Sequence, residues 1–297
     1  MATMTALRDR LRNVFGEDAF DWLDRSYITD WVVATGAWFI AWNIKGLPPY
    51  QREFDHKDPL IDHKHHKSQI GGDLNWFIAF VAPFAVIGVT ACLRRSALDL
   101  HHSALALYAT RAFAEVATEL LKNRVGRLRP DFLSRCKWDK ATKACAGDLE
   151  TILDGRKSFP SGHSSTAFSG MMFLSLWIAG MTGAWCITRP TVARSFLASR
   201  LARLSLSLLP LLFATWVAIS RLEDYRHHKE DVIVGSLLGI ACAVICYLTY
   251  WPNPFAQPQP SAYHARVLYT NRRLDARENG YQYELAGMEH INGVESV

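Results

Sequence analysis

Leu204–Ser220 (LSLSLLPLLFATWVAIS), Arg221–Asp231 (RLEDYRHHKED) and Val232–Trp251 (VIVGSLLGIACAVICYLTYW) form two long apolar runs around a short, densely charged turn. A bilayer crossing needs roughly 20 mainly apolar residues in a helix. A soluble domain would distribute the same residues over shorter amphipathic elements. Working outward, further apolar segments run from His163 to Trp185, Leu100 to Leu121 and Leu74 to Leu93, the last with Pro83 as a kink. A shorter segment, Trp31 to Ile44, contains Asn43 and is the weakest of the set. The expected fold is all-α, a bundle of six transmembrane helices. Buried helices of a soluble protein are the alternative, and the segment lengths suit it less well.

The 297 residues are 49% hydrophobic and 12% aromatic, with a net charge of +5. That charge is too small to suggest nucleic acid as a partner. The basic residues gather in particular loops, which suggests local phosphate sites. Residues 1–28 are charged and lack a continuous apolar core, so no cleavable signal peptide is expected. The expected organisation is a cytoplasmic segment 1–28, one membrane domain 29–252, and a polar cytoplasmic tail 253–297. Arg8, Arg10, Arg12 and Arg25 precede the first segment, Arg94 and Arg95 follow the second, and Arg189, Arg194, Arg200 and Arg203 separate the fourth from the fifth. With six crossings these share one side with both termini, and the positive-inside rule makes that side cytoplasmic. The long loop from Lys122 to Pro160 is also basic yet falls opposite, so its charge needs a chemical reason.

Three polar clusters fall on that opposite face. Lys122-Asn123-Arg124-Val125-Gly126-Arg127-Leu128-Arg129-Pro130 leaves the third segment, and Ser158-Phe159-Pro160-Ser161-Gly162-His163-Ser164 opens the fourth. Ser220-Arg221, five residues, His227, three residues and Asp231 join the fifth to the sixth. Their residue types fit phosphoryl transfer, in which negative charge spreads over the phosphoryl oxygens. Lys122, Arg129 and Arg221 supply cations, the arginines with a bidentate guanidinium. Ser161 and Gly162 begin a helix whose free N–H groups favour an anion. Asp231, four residues after His227, shares its helical face and is expected to fix the tautomer that leaves a nitrogen lone pair for attack. His163 remains as the acid for the leaving alkoxide. The bland alternatives are a solvated basic patch, a capping histidine and an interfacial one; the convergence of three distant clusters weighs against each.

Lys122-x6-Arg129-Pro130, Pro160-Ser161-Gly162-His163 and Ser220-Arg221-x5-His227-x3-Asp231 resemble, complete and in order, the three signature motifs of the type 2 phosphatidic acid phosphatase (lipid phosphate phosphatase) superfamily. The resemblance covers about residues 70–251, and the run from Gly126 to Cys136 looks like the eukaryotic branch that includes diacylglycerol pyrophosphate phosphatases. It implies the catalytic core shared with the haloperoxidases, His227 as nucleophile, Asp231 as its partner and His163 as acid and then base. Lys122, Arg129, Ser161, Gly162 and Arg221 are implied to bind the phosphoryl oxygens. It further implies turnover without magnesium or any other cofactor, a lipid phosphate substrate and a site on the luminal or extracellular side. A sphingoid-base or polyprenyl phosphatase, a vanadium haloperoxidase and a non-catalytic lipid-binding homologue are the rival readings; both histidines being present disfavours the last. The particular membrane and the oligomeric state are left open.

Some residues lie outside the motifs. His56, His63, His65 and His66, beside Asp55, Asp58 and Asp62, read as a hydrated loop rather than a metal site, because their spacing is irregular. Arg111, Glu115 and Glu119 recur every four residues in an apolar segment, so Arg111 is expected to pair with Glu115, and Glu119 lies one turn from Lys122. Cys136 and Cys145 fall where an oxidising compartment permits a disulfide, with pairing and its absence both open. Cys92, Cys186, Cys242 and Cys246 read as small packed residues.

Overall fold

The computed structural model describes residues 25–139, 141–186 and 198–256. The segments 1–24, 187–197 and 257–297, including Arg189, Arg194 and nearly all of the polar tail, lie outside the described residues. Helix α1 spans Arg25–Lys45, α2 Gly72–Arg94 and α3 Ala97–Val125. After them come the short helix α4 (Phe132–Cys136), strands β1 (Trp138–Asp139) and β2 (Ala144–Cys145), and helix α5 (Leu149–Gly155). The long helices α6 (Gly162–Thr182), α7 (Arg200–Glu223) and α8 (Lys229–Tyr250) complete the order.

All six apolar segments lie in helices, and the helix ends follow local chemistry. The Ser96 and Ser199 hydroxyls accept the N–H groups of Asp99 and Ala202 and so open α3 and α7. Gly126 and Gly183, at φ 58° and 64°, close α3 and α6 in the left-handed conformation. The second of these stops α6 at Thr182, short of the Trp185 end expected from hydropathy. Three of the described helices, α2, α7 and α8, are long and apolar enough to cross a membrane. The others carry more polar residues: Arg111, Glu115, Glu119 and Lys122 in α3, and a serine-rich face in α6.

Helix α6 is the central element, packed on α2, α3, α7 and α8, while α1 lies against α3. Its contact with α8 is a backbone approach. A Cβ at Gly235 or Gly239 of α8 would stand 2.5 Å from the carbonyl oxygen of Ser161 or Ser165 respectively. One turn apart, the two glycines let α8 lie flat on the start of α6. Towards the far end, Phe173 and Trp177 of α6 pack with Tyr247 and Trp251 in the largest apolar core. The outer faces show Val32, Trp42, Leu93, Leu212 and Ile245 exposed, the surface a helix needs against lipid.

The region between α3 and α6, expected from sequence as a long polar loop, is a folded cap. Leu128, Phe132 and Leu133 are buried there with Ile61 from the segment before α2, and the partly buried Phe54, Trp138 and Ile152 pack against them. β1 and β2 pair antiparallel, Trp138 opposite Cys145, one minimal ladder in a chain that is otherwise helical as expected. Cys136 and Cys145 are disulfide-bonded. Helices of five and seven residues are too short to show a clear hydrophobic period, and the cap owes its order to this cross-link and small core.

Candidate active site

The end of α3, the start of α6 and the turn between α7 and α8 meet under the cap. They enclose a cavity of about 340 Å³ whose lining includes Lys122, Arg129, Gly162, His163 and His227. Five of the eight residues named from the sequence thus face one space.

His227 is 4% exposed and sits in the turn before α8. Its Nδ1 lies 2.7 Å from the main-chain carbonyl oxygen of Ser158. A carbonyl only accepts, so Nδ1 carries the hydrogen and Nε2 keeps its lone pair. Nε2 makes no hydrogen bond among the described residues. Asp231, expected to take that role, stands 3.8 Å from Nδ1. Its Oδ2 accepts instead from the Ser158 hydroxyl at 2.6 Å and the His228 N–H at 3.0 Å, and its Oδ1 from Arg127 at 2.7 Å. Helix α8 begins only at Lys229, so His227 precedes the helical register on which the i,i+4 expectation depended. Burial pushes the His227 imidazole down to about 4, with Asp231 acting against the shift and Arg129 with it. A group that works as the neutral form, with its pKa so depressed, becomes competent as pH rises through about 4. Any reaction that uses neutral His227 is therefore expected to gain rate as pH rises through about 4, and an acid limb at the ordinary histidine value would contradict this setting.

His163 enters with the first turn of α6. Its carbonyl accepts from the Asn75 side chain at 3.0 Å, and Gly72 at the start of α2 lies beside the ring. Its Nε2 is buried and has no hydrogen-bond partner among the described residues. Such an orphaned polar atom on a cavity wall marks a position for a ligand atom.

Two of the cations lining the cavity, Lys122 and Arg129, are held by carboxylates. Lys122 Nζ is 2.5 Å from Glu119, and Arg129 donates to the carbonyl and carboxylate oxygens of Asp154 at 3.0 and 2.9 Å. A Cβ on Gly162 would come within 2.8 Å of Lys122 Nζ, so glycine there lets the ammonium reach the start of α6. Asp154 is shared with Arg135 at 2.7 Å, Arg135 binds Asp131 at 2.9 Å, and Asp131 contacts His65 at 2.6 Å. Burial works to raise the Asp154 pKa, but Arg129 and Arg135 outweigh it and hold the carboxyl below its usual range.

Ser161, Arg221 and Asp231 lie outside the cavity lining. The Ser161 hydroxyl caps α6, and its N–H binds the Asp231 carbonyl at 2.8 Å. Arg221 is buried and donates to Ser68 at 2.7 Å, Ser220 at 2.9 Å and Asp224 at 3.1 Å. Arg111 reaches Glu115 only at 3.5 Å and is held more closely by Ser169 at 2.7 Å and Thr166 at 3.1 Å. In the His56–His66 loop, His56 stacks on Trp138 and His63 on Tyr225, while His65 binds Asp131. Those rings are spent on separate partners.

Sequence reasoning passed over Asn75 and Asp154, and it named Arg127 and Ser158 only as members of the first and second clusters, without the Asp231 contacts that the structure gives them. Ser158 lay within the second cluster, and Asn75 was legible as an amide inside an apolar helix. Asp154 and Arg127 carried no spacing signal, since their partners are fixed by the folded cap and by α8.

The profile of the family described as the PAP2 superfamily matches residues 103–255. The chain is 35% identical to Lipid phosphate phosphatase 2 of Arabidopsis thaliana, over 90% of each chain. It is 32% identical to Lipid phosphate phosphatase 1 of the same plant, over 84% of this chain and 77% of the relative. With Diacylglycerol pyrophosphate phosphatase 1 of Saccharomyces cerevisiae the identity is 34%, over 71% of this chain and 75% of the relative. No solved structure matches.

Proposed function

The chain belongs to the PAP2 superfamily, and from that premise we propose that it is a membrane lipid phosphate phosphatase working through a phosphohistidine on His227. The reading is carried by two imidazole nitrogens on one cationic cavity: the free Nε2 of His227 and the unpartnered Nε2 of His163. In the first step His227 Nε2 bonds to phosphorus and the ester P–O bond breaks. Its electron pair goes to the leaving oxygen, which takes a proton from His163. In the second, His163 accepts a proton from water as the water oxygen bonds to phosphorus. The P–N bond breaks, its pair returns to Nε2, and phosphate departs. The Ser158 carbonyl keeps the hydrogen on Nδ1 throughout, and Asp231 offsets the positive charge of the phosphorylated ring.

Lys122 and Arg129, with the opening N–H groups of α6 beyond Gly162, cradle the phosphoryl oxygens. Ser161 acts by capping that helix. Arg221 adds positive charge that acts on His163, with its guanidinium held by Ser68, Ser220 and Asp224. Phosphatidate, diacylglycerol pyrophosphate and lysophosphatidate are the substrates this pocket suits, because it recognises a phosphoryl group chiefly by charge. The bundle crosses the bilayer six times, with α3 and α6 shielded by their neighbours, α1 packed on α3 with its apolar outer face exposed, and the cavity on the luminal or extracellular side. Purified protein in detergent with EDTA is expected to release phosphate from all three lipids. No release with EDTA, restored by Mg²⁺, would show that the lysine and arginine charges do not suffice; no release under either condition would remove the phosphatase reading.

A further inference from the structure

A second cavity, of about 520 Å³, adjoins the catalytic one and shares Lys45, Glu119, Lys122 and Asp154 with it. Its other lining residues include Lys157 and the apolar side chains of Leu47, Leu149 and Leu153. Of the cations that line the catalytic cavity, Lys122 and Arg129 contact the carboxylates of Glu119 and Asp154, whereas Lys45, which lines both cavities, contacts none. Glu119, Glu150 and Asp154 line the second cavity as well, without an ion pair to Lys45 or Lys157. Lys45 Nζ, at the end of α1, makes no hydrogen bond or ion pair among the described residues. Lys157 Nζ donates only to the main-chain carbonyls of Lys45 and Leu47, at 3.0 and 3.4 Å. Two ammonium groups without a carboxylate in contact thus stand beside a site already furnished for one phosphate.

We propose that Lys45 and Lys157 form a second anion subsite that holds the inner phosphate of a lipid pyrophosphate while its terminal phosphate lies between His163 and His227. This rests on the phosphatase reading and specifies its substrate class. Apolar side chains share the cavity with the lysines, so a phosphate and the adjoining glyceryl portion of a lipid find complementary walls in one space. When the terminal phosphorus is taken by His227, the bond that breaks runs to the bridging oxygen. Its electron pair stays on the departing lipid monophosphate, where Lys45 and Lys157 neutralise the charge. A monophosphate substrate places no group there.

The test compares wild type with Lys45→Gln, Lys157→Gln and the double variant, on a lipid pyrophosphate and the corresponding lipid monophosphate. The ratio of kcat/KM for pyrophosphate over monophosphate is expected to fall about tenfold or more in the double variant, as for loss of charge-assisted contacts. An unchanged ratio overturns the subsite while leaving the phosphatase reading intact. A binding arm reads the subsite without turnover. Methylenediphosphonate should bind the double variant about tenfold more weakly, with inorganic phosphate affinity changed less than about twofold. Equal weakening of both probes would reduce the two lysines to a general field and overturn the proposal.

Discussion

His227→Ala is expected to lower phosphate release from phosphatidate by roughly 10⁴-fold or more, as for loss of a covalent nucleophile that no neighbour replaces. Among the described residues lining the cavity, His163 is the other imidazole, and the proposed mechanism already assigns its Nε2 to the leaving oxygen. Lys122 and Arg129 contact Glu119 and Asp154 rather than His227, so the variant should still bind inorganic phosphate within a fewfold of wild type. Rapid acid quenching after addition of a ³²P-labelled lipid phosphate should trap label on wild-type protein and none on the variant. Label retained by His227→Ala, or turnover close to wild type, would move the nucleophile elsewhere.

His163→Ala should behave differently. Loss of a general acid costs about 10²–10⁴-fold, and the deficit is expected to depend on the leaving group. An alkoxide leaving from phosphatidate needs the proton; a nitrophenolate leaves without it. First-step rates for the variant should thus approach wild type on a nitrophenyl phosphate while remaining far below it on phosphatidate. Attack by water on the phosphohistidine also loses its base, so labelled phosphoenzyme should accumulate. A uniform loss across leaving groups, with no accumulation, would mean that His163 only positions the phosphate.

The convergence of the three clusters was open to reading because charge in an apolar chain is conspicuous. Lys122, Arg129, Gly162, His163 and His227 stand out against long runs of leucine, isoleucine and valine, and counting crossings brings them to one face. The second coordination around them was hidden for a different reason. Asp231 looked like the partner of His227 because an interval of four suggests one helical face. The helix starts two residues after His227, and the imidazole turns instead to a carbonyl on another segment. Main-chain acceptors have no letter in a sequence. The cap was illegible on similar grounds: Phe54, Ile61, Phe132 and Ile152 are scattered among polar residues, and only the folded chain assembles them. Asp154, the residue that steadies Arg129, is carried by that cap.

Ser158 serves the site through two atoms of unequal fate. Its hydroxyl, on Asp231, is open to replacement; its carbonyl, on His227, belongs to the backbone that every amino acid shares. Ser158→Ala should therefore leave Asp231 short of one donor, seen as a modest drop in turnover, while Nε2 of His227 stays unprotonated. Genetic drift at position 158 can detune the enzyme but cannot reverse which nitrogen of His227 keeps its lone pair, because that choice is inherited from the path of the chain and not from the identity of a side chain.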